Sequence, residues 1–249
     1  MQVFVINLDG SRERMASIDA QLRTLGVPYE RISAVYGKGL SREELRRSFS
    51  SFRWWCAVGY KAAPAEIGCA LSHALIYKRM VAENLPVACI LEDDVVLSPD
   101  FAARVGQAEK FMNAAVPQVV LLSDHTGRYK NRLDVPESGI VTSSCGMCTD
   151  GYCLTKAAAM ALLRENYPVQ VPCDWWGRWV SSGAISLYHA LPSVVRQDQE
   201  TFGGSTIDGR VVVAELPFIA LCTYKAKRTI GKSIDCAWRC FDKLGHGKA

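Results

Sequence analysis

Three consecutive carboxylates, Glu92, Asp93 and Asp94, follow an apolar run of strand length at residues 86–91. Buried parallel strands read as continuous apolar runs, and ligands collect beyond their carboxyl ends. Because adjacent acids repel one another, the pattern favours a bound cation, and a hard divalent ion shared with a substrate diphosphate fits best. We therefore predict a metal–diphosphate site here. An acidic turn where a strand leaves the core would give the same short motif, so both interpretations stay open.

A second set of polar residues lies on the helix that we predict from Pro64 to about residue 84. Glu66, His73 and Tyr77 recur at helical spacing and share one face of an otherwise apolar helix. Such a stripe can serve a polar site. The alternative is a satisfied core histidine, with Glu66 as an ordinary acid in the first turn, where the helix dipole favours it.

The loop at residues 7–14 connects a predicted strand to a predicted helix, a position at which phosphates and nucleotides bind. It contains neither GxGxxG nor GxxxxGK[ST], so the sequence supports neither a dinucleotide fingerprint nor a P-loop. Arg12 and Arg14 have the reach to contact a phosphate or a base. A solvated helix face shared with Glu13 is the alternative.

Asp174 stands beside two indoles, Trp175 and Trp176. The apolar faces of sugar rings stack on aromatic side chains, and a carboxylate in apolar surroundings can act as a general base. The alternative is that Asp174 caps a helix and the tryptophans belong to the core. Nothing local distinguishes the two.

The elements that position these residues begin with a strand, a helix and a strand at residues 1–6, 11–25 and 28–35, which predicts a parallel sheet in an α/β fold. Residues 37–60 look less regular, with one short helix near residues 41–47. Further strands are predicted at residues 118–122, within 140–155, at 185–189 and at 194–195, and further helices at 99–112, 156–164 and 172–182.

The 249 residues read as one domain over residues 1–222 followed by a basic tail over residues 223–249. The net charge of +4 is too small to predict nucleic-acid binding. The ten cysteines are expected to be reduced, and no set of four with zinc-site spacing is evident, although Cys145 and Cys148 have the spacing of a pair.

Residues near the start of the chain and in its basic tail indicate where in the cell the protein acts. Residues 3–6 are too short for the apolar core of a signal peptide, so we expect a cytoplasmic protein. In the tail, Ile230, Ile234, Trp238 and Phe241 form an apolar stripe among basic residues, which suits an anionic membrane surface such as the cytoplasmic face of the inner membrane. A helix packed on the domain would show the same stripe.

Three blocks together resemble one family. Residues 5–14 (VINLDGSRER), 65–73 (AEIGCALSH) and 90–94 (ILEDD), in this order and spacing, look like glycosyltransferase family 25, the bacterial lipooligosaccharide galactosyltransferases and their relatives that galactosylate collagen. The likeness continues more weakly through residues 151–158, 171–174 and 192–197. Each block alone is a weak signal, whereas the combination is specific.

This resemblance implies a GT-A-like fold with a Rossmann-like nucleotide-binding half, a UDP-sugar donor and inverting transfer, usually of galactose, with glucose as the second choice. It implies Mn²⁺ or Mg²⁺ on Asp94, with Glu92 holding the ribose or a metal-bound water. The remaining assignments place the donor on Asn7, Leu8, Arg12, Arg14, His73 and Asp93, and the acceptor on Trp175 and Trp176.

For the base that deprotonates the attacking hydroxyl, Asp174 is the first choice and Glu66 the second. The acceptor is expected to be a glycan or a lipid-linked oligosaccharide. Two other functions remain as alternatives. A metal-dependent phosphohydrolase or nucleotidyltransferase would use the same carboxylates, and an inactive protein would bind a glycan or nucleotide without turnover.

Overall fold

A computed structural model describes residues 1–124, 137–198 and 201 together with the backbone of residues 128–129. The strands are β1 Gln2–Asn7, β2 Glu30–Ser33, β3 Val87–Glu92, β4 Val95–Leu97, β5 Gln118–Leu121, β6 Arg128–Tyr129, β7 Ile140–Cys145, β8 Gly151–Thr155, β9 Ser186–Ala190 and β10 Val195–Gln197. The helices are α1 Arg12–Thr24, α2 Arg42–Ser48, α3 Ser51–Val58, α4 Pro64–Ala82, α5 Phe101–Phe111, α6 Lys156–Asn166 and α7 Trp176–Ser181, with a 3-10 turn at Gly37–Gly39.

The central sheet has the strand order β2-β1-β3-β8-β5-β9-β7-β6. Strands β2, β1, β3, β5 and β9 share one direction, whereas β8 and β7 run against them. The α/β class and the mostly parallel sheet are therefore confirmed. The first three elements, β1, α1 and β2, form the predicted βαβ unit, because β1 pairs in parallel with β2.

Helices cover both faces of this sheet. Along β1, Phe4 and Ile6 pack into the core on the side of α3, α4, α6 and α7, whereas Val3 and Val5 pack on the side of α1 and α5. Burial on both faces explains why the interiors of β1 and β3 are apolar rather than alternating. Apart from Gln2 at the start of β1, the polar residues of these two strands stand at their carboxyl ends, at Asn7 and Glu92.

Residues 37–60 are more regular than the sequence predicted. They contain α3 as well as the expected α2, and α3 is held by Trp54 and Val58, which are buried one turn apart. The helix ends at Gly59, whose φ of 86° is a conformation that glycine adopts readily. Trp54 and Val58 thus form the buried face of a short helix.

A small two-stranded ribbon lies beside the main sheet. Strand β10 pairs antiparallel with β4, and this pairing places Gln197 opposite Val95, next to the acidic segment. None of the helices in the described part of the chain is long and apolar enough to cross a membrane. The predicted basic tail, residues 223–249, lies outside the described residues.

Candidate functional site

The acidic segment lies at the carboxyl end of β3, beside the carboxyl end of β1. The two strands pair in parallel, with Ile6 opposite Glu92, so the loops that follow them meet at one edge of the sheet. Asn7 Nδ2 donates to Asp93 Oδ2 at 2.6 Å and to the backbone oxygen of Ser11 at 3.0 Å. A single amide thereby fixes both the acidic turn and the start of α1.

Arg14 brings the first turn of α1 onto the same carboxylates. Its Nη1 lies 3.2 Å from Asp94 Oδ2 and 3.5 Å from Asp93 Oδ1. The three side chains are mostly buried, so this contact is only weakly screened by solvent. The guanidinium offsets part of the repulsion between the two acids.

These residues line a cavity of about 300 Å³. Its floor contains Glu92, Asp93 and Asp94, and one wall is formed by Cys69, Ser72 and His73 of α4. The lining also includes Leu8, Ser11, Arg14 and residues 34–38 after β2. Tyr36 is 60% exposed there, an unusual degree for a large aromatic ring.

The proton affinities of the three acids are driven apart by their surroundings. Burial and the charge of Glu92 raise the pKa of Asp94 to about 6, although Arg14 opposes them, and burial likewise raises the pKa of Asp93. Burial would also raise the pKa of Glu92, but hydrogen bonds from His73 and Thr149 outweigh it and lower that pKa. Of the three acids, Glu92 is therefore the one that most readily stays ionised.

His73 is held in place on both sides of its ring. Nδ1 is 2.7 Å from the hydroxyl of Tyr152, which is 2.7 Å from that of Tyr77, and Nε2 is 3.4 Å from Glu92 Oε1. Burial alone would lower the pKa of His73, but Cys69 and Glu92 raise it to about 9. A protonated His73 beside ionised Glu92 follows at neutral pH.

Glu66 is not among the residues that line this cavity. Its Oε2 accepts from the backbone N–H of Ala63 at 2.8 Å and its Oε1 accepts from the Tyr60 hydroxyl at 2.7 Å. The carboxylate is buried and closes the N-terminal turn of α4. Its geometry is that of a helix-capping residue.

Asp174 lies near the acidic segment without lining the cavity. Burial and the charges of Asp150, Asp174, Glu92 and Asp94 raise the pKa of Cys148 to about 12. Asp174 is half-buried. Trp175, not Asp174, occupies the capping position of α7, so the capping interpretation of Asp174 does not apply.

The two tryptophans differ in exposure. Trp176 is fully buried, donates from Nε1 to the Cys148 carbonyl oxygen at 2.8 Å and packs edge-on against Tyr152 at 5.1 Å. Its faces contact protein in this structure and are not open to a sugar. Trp175 is half-buried and packs against the core, so part of its side chain is exposed.

The structure thus gathers Asn7, Leu8, Arg14, His73 and the three acids, and leaves Arg12 exposed on α1 away from the cavity lining. Residues that the sequence analysis did not single out also contribute. Arg31 donates from Nε to Asn7 Oδ1 at 2.9 Å, and Thr149 and Tyr152 orient Glu92 and His73. Tyr152 comes from β8, whose antiparallel place beside β3 has no local sequence signal.

The donor set fits a hard divalent cation. Asp94 Oδ1 is buried and accepts no hydrogen bond from the described residues. A buried carboxylate oxygen without a donor is costly, and a cation would satisfy it. Oxygen ligands from Asp94 and Glu92 are those that Mn²⁺ and Mg²⁺ prefer.

Fold and site together define an α/β protein whose carboxylate-bearing cavity lies at the carboxyl ends of parallel strands. The profile described as glycosyltransferase family 25 (LPS biosynthesis protein) matches residues 1–176. The chain belongs to this family, and the resemblance read from its three N-terminal blocks is confirmed.

Relatives in the family come from bacteria and animals. The lacto-N-neotetraose biosynthesis glycosyltransferase LgtE of Neisseria meningitidis is 28% identical over 188 residues, which cover 70% of this chain and 63% of the relative. Procollagen galactosyltransferase 1-A of Xenopus laevis is 28% identical over 183 residues, which cover 70% of this chain and 30% of the relative. A glycosyltransferase 25 family member of Aedes aegypti is 37% identical over 108 residues, which cover 42% of this chain and 18% of the relative. The chain spans less than two thirds of each of these relatives.

Proposed function

We propose that this chain is an inverting, metal-dependent glycosyltransferase of GT-A type that moves galactose, or as a second choice glucose, from a UDP-sugar to a glycan acceptor. The observation that carries the proposal is the convergence of Glu92, Asp93 and Asp94 with Arg14 at one cavity. Membership in a glycosyltransferase family supports the reaction class. The family's relatives named for galactose transfer support the choice of sugar.

The cavity offers a place for each part of a nucleotide-sugar. Asp94 and Glu92 would hold Mn²⁺ or Mg²⁺, which when bound supplies positive charge against that of the departing diphosphate. Arg14 and Lys38 bring cationic side chains to the same cavity. The exposed ring of Tyr36 provides an apolar face for a base, and His73 is close enough to Glu92 to position the acidic strand end.

An inverting transfer also needs a base for the attacking hydroxyl. Asp174 remains our first choice, because it is half-buried and directly follows Cys173, whose thiol lies 3.8 Å from the Thr149 hydroxyl that donates to Glu92. Glu66 is a weaker second choice, because its two oxygens already accept hydrogen bonds at the start of α4. Trp175 would contact the acceptor.

Product formation from defined donors tests this function. Purified protein is incubated with UDP-galactose, UDP-glucose and UDP-N-acetylglucosamine, each with Mn²⁺ or with EDTA, and with short glycans and collagen peptides as acceptors. Mass spectrometry should detect an acceptor heavier by one hexose, with Mn²⁺ required. UDP release with no glycosylated product from any acceptor would favour hydrolysis, whereas neither UDP release nor product from any donor would favour an inactive binding protein.

The location is proposed from the sequence. We propose a cytoplasmic enzyme that touches an anionic membrane surface through residues 223–249, where a lipid-linked acceptor would lie. Deleting residues 229–249 should abolish sedimentation with anionic liposomes and spare transfer to a soluble acceptor. Liposome binding by the shortened chain, or none by the full chain at low salt, would contradict this role.

A further inference from the structure

A cluster of two thiols and an imidazole lies beside the acidic site, and the function proposed above assigns a role only to His73. Cys69 and His73 are one helical turn apart on α4, and Cys173 approaches them from the turn before α7. One ligand atom from each of the three residues lies within 4.8 Å of the other two. The cluster joins two elements separated by about a hundred residues of sequence.

The spacing of the sulfurs matches a metal chelate. Cys69 Sγ and Cys173 Sγ are 3.6 Å apart. Two thiolates on a tetrahedral zinc ion, with Zn–S bonds of about 2.3 Å, lie roughly 3.8 Å apart. A disulfide would need about 2.05 Å between the sulfurs, and both cysteines are free. Little movement separates the observed arrangement from a zinc-binding one.

The imidazole is oriented as a metal-binding histidine usually is. His73 Nδ1 is engaged by the Tyr152 hydroxyl at 2.7 Å, and Tyr77 supports that hydroxyl in turn. A hydrogen bond on Nδ1 fixes the ring, so Nε2, which lies 3.4 Å from Glu92 Oε1, is the nitrogen that would bind a metal once His73 is deprotonated. The ring is 1% exposed, so its orientation is held by packing as well.

We propose that Cys69, His73 and Cys173 form a binding site for Zn²⁺. Thiolate and imidazole ligands select a soft or borderline ion, whereas the neighbouring carboxylates select a hard one, so the chain has two sites of different metal preference. Binding converts both thiols to thiolates and leaves His73 neutral, with the released protons passing to solvent. Two thiolate charges then balance that of the ion.

The fourth coordination position faces the acidic site. Cys69 and His73 line the cavity, which gives the ion an entry path. Glu92 Oε1 is 3.4 Å from His73 Nε2, and Thr149 Oγ1 lies between Glu92 and Cys173, at 2.5 Å and 3.8 Å. Zinc bound here would tie α4 to the turn before α7 and so fix the wall of the cavity. This site stands whether or not the acidic segment binds Mn²⁺.

Cobalt substitution provides a direct test. The full chain, reduced and freed of metal, is titrated with Co²⁺, which gives thiolate-to-metal charge-transfer and visible ligand-field bands in a tetrahedral sulfur site. We expect one equivalent of Co²⁺ to produce these bands, and Zn²⁺ to abolish them. Cys69→Ser and Cys173→Ser should each weaken binding by at least about 100-fold, whereas Cys56→Ser, at a half-buried thiol outside the cluster, should leave the bands unchanged. Bands that persist in both serine variants would overturn the proposal.

A second measurement needs no substitution. The native chain is alkylated with iodoacetamide with and without Zn²⁺, and each cysteine is quantified by mass spectrometry. Zinc should slow the labelling of Cys69 and Cys173 at least about tenfold and leave that of Cys56 unchanged, because a metal-bound thiolate is shielded from the reagent. Equal labelling of Cys69 and Cys173 in both samples would contradict zinc binding at this cluster.

Discussion

At the scale of single residues, the ionised carboxylate of Asp94 that would bind a cation also lowers the stability of the fold. Its carboxylate is mostly buried, lies beside two other acids, and has an oxygen that accepts no hydrogen bond from the described residues. Burial and the charge of Glu92 raise its pKa to about 6, so ionised Asp94 costs free energy in the folded chain. Sites built for a cation commonly carry such a cost when the cation is removed.

Replacing Asp94 by Asn should therefore stabilise the metal-free protein at neutral pH. A carboxyl whose folded pKa is raised destabilises the fold above that pKa and costs nothing below its unfolded pKa near 3.8. The stability gap between Asp94→Asn and the parent should thus open as pH rises from about 4 to 6 and reach roughly 1–3 kcal/mol. Thermal melts in EDTA at pH 5 and 7.5 measure it, and a gap that shrinks with rising pH would refute the argument.

Substitutions at the two candidate bases, Asp174 and Glu66, should affect different properties, namely turnover and stability. Asp174→Asn should lower kcat by at least about 100-fold while UDP-sugar affinity is kept. Glu66→Gln should instead lower stability by about 0.5–2 kcal/mol, since it weakens the acceptor of the Ala63 and Tyr60 hydrogen bonds. Steady-state kinetics and melts of both variants decide. A loss confined to acceptor KM in Asp174→Asn would make Asp174 a recognition residue.

Residue types and spacing predicted many of the residues that come together, because polar side chains that directly follow buried parallel strands lie at the carboxyl edge of the sheet. The three acids, Asn7 and Arg14 come together as expected. Arg12 and Trp176 do not join them, because a one- or two-residue change of position on a helix turns a side chain to another face. Tyr152 and Thr149 could not be found locally, since only the pairing of β8 with β3 brings them in.

At the scale of elements, α4 shows why the motif at residues 65–73 has its small residues. Gly68 lets the helix approach the segment after β2, since a Cβ there would lie 2.5 Å from the Val35 carbonyl oxygen. Ser72 accepts from the Val35 N–H at 2.8 Å and donates to the Gly68 carbonyl oxygen at 2.7 Å. The motif therefore fixes one wall of the cavity, and His73 faces inward from it.

A methyl group at residue 68 should force this wall apart. Gly68→Ala is expected to cost about 1–3 kcal/mol by overpacking against backbone and to weaken UDP binding. Gly106→Ala on α5 is the matched control, because its Cβ would meet nothing within 4 Å, and it should stabilise the protein slightly. Equal effects of the two substitutions on melting temperature and UDP affinity would refute the close-approach argument.

Long helices and strands with a clear hydrophobic pattern were predictable from the sequence, whereas the pairing of strands in the sheet was not. The apolar runs of β1 and β3 and the periodicity of α1 and α4 define those elements from local sequence alone. Helix α3 was missed because its eight residues give barely two turns of periodicity. The insertion of antiparallel β8 between β3 and β5 depends on contacts far apart in sequence.

At the scale of the whole molecule, the sheet separates two cores and leaves one chemically active edge. Helices on both faces bury the strands, and three carboxylates and Arg14 cluster where β1 and β3 end. The acidic segment, the α4 wall and Gln197 from β10 meet there around a single cavity. Its mixture of carboxylates, basic side chains and an exposed aromatic ring suits a metal-bound nucleotide-sugar.

Equilibrium binding of UDP with and without Mn²⁺ tests this account most directly. In the parent chain Mn²⁺ should tighten UDP binding at least about tenfold, which is about 1.4 kcal/mol. Asp94→Asn should lose this gain, whereas Asp100→Asn, an exposed acid that forms no helix-capping hydrogen bond, should keep it. UDP affinity that is independent of Mn²⁺ in the parent chain, or an Mn²⁺ effect that survives in Asp94→Asn, would contradict the assignment of this site.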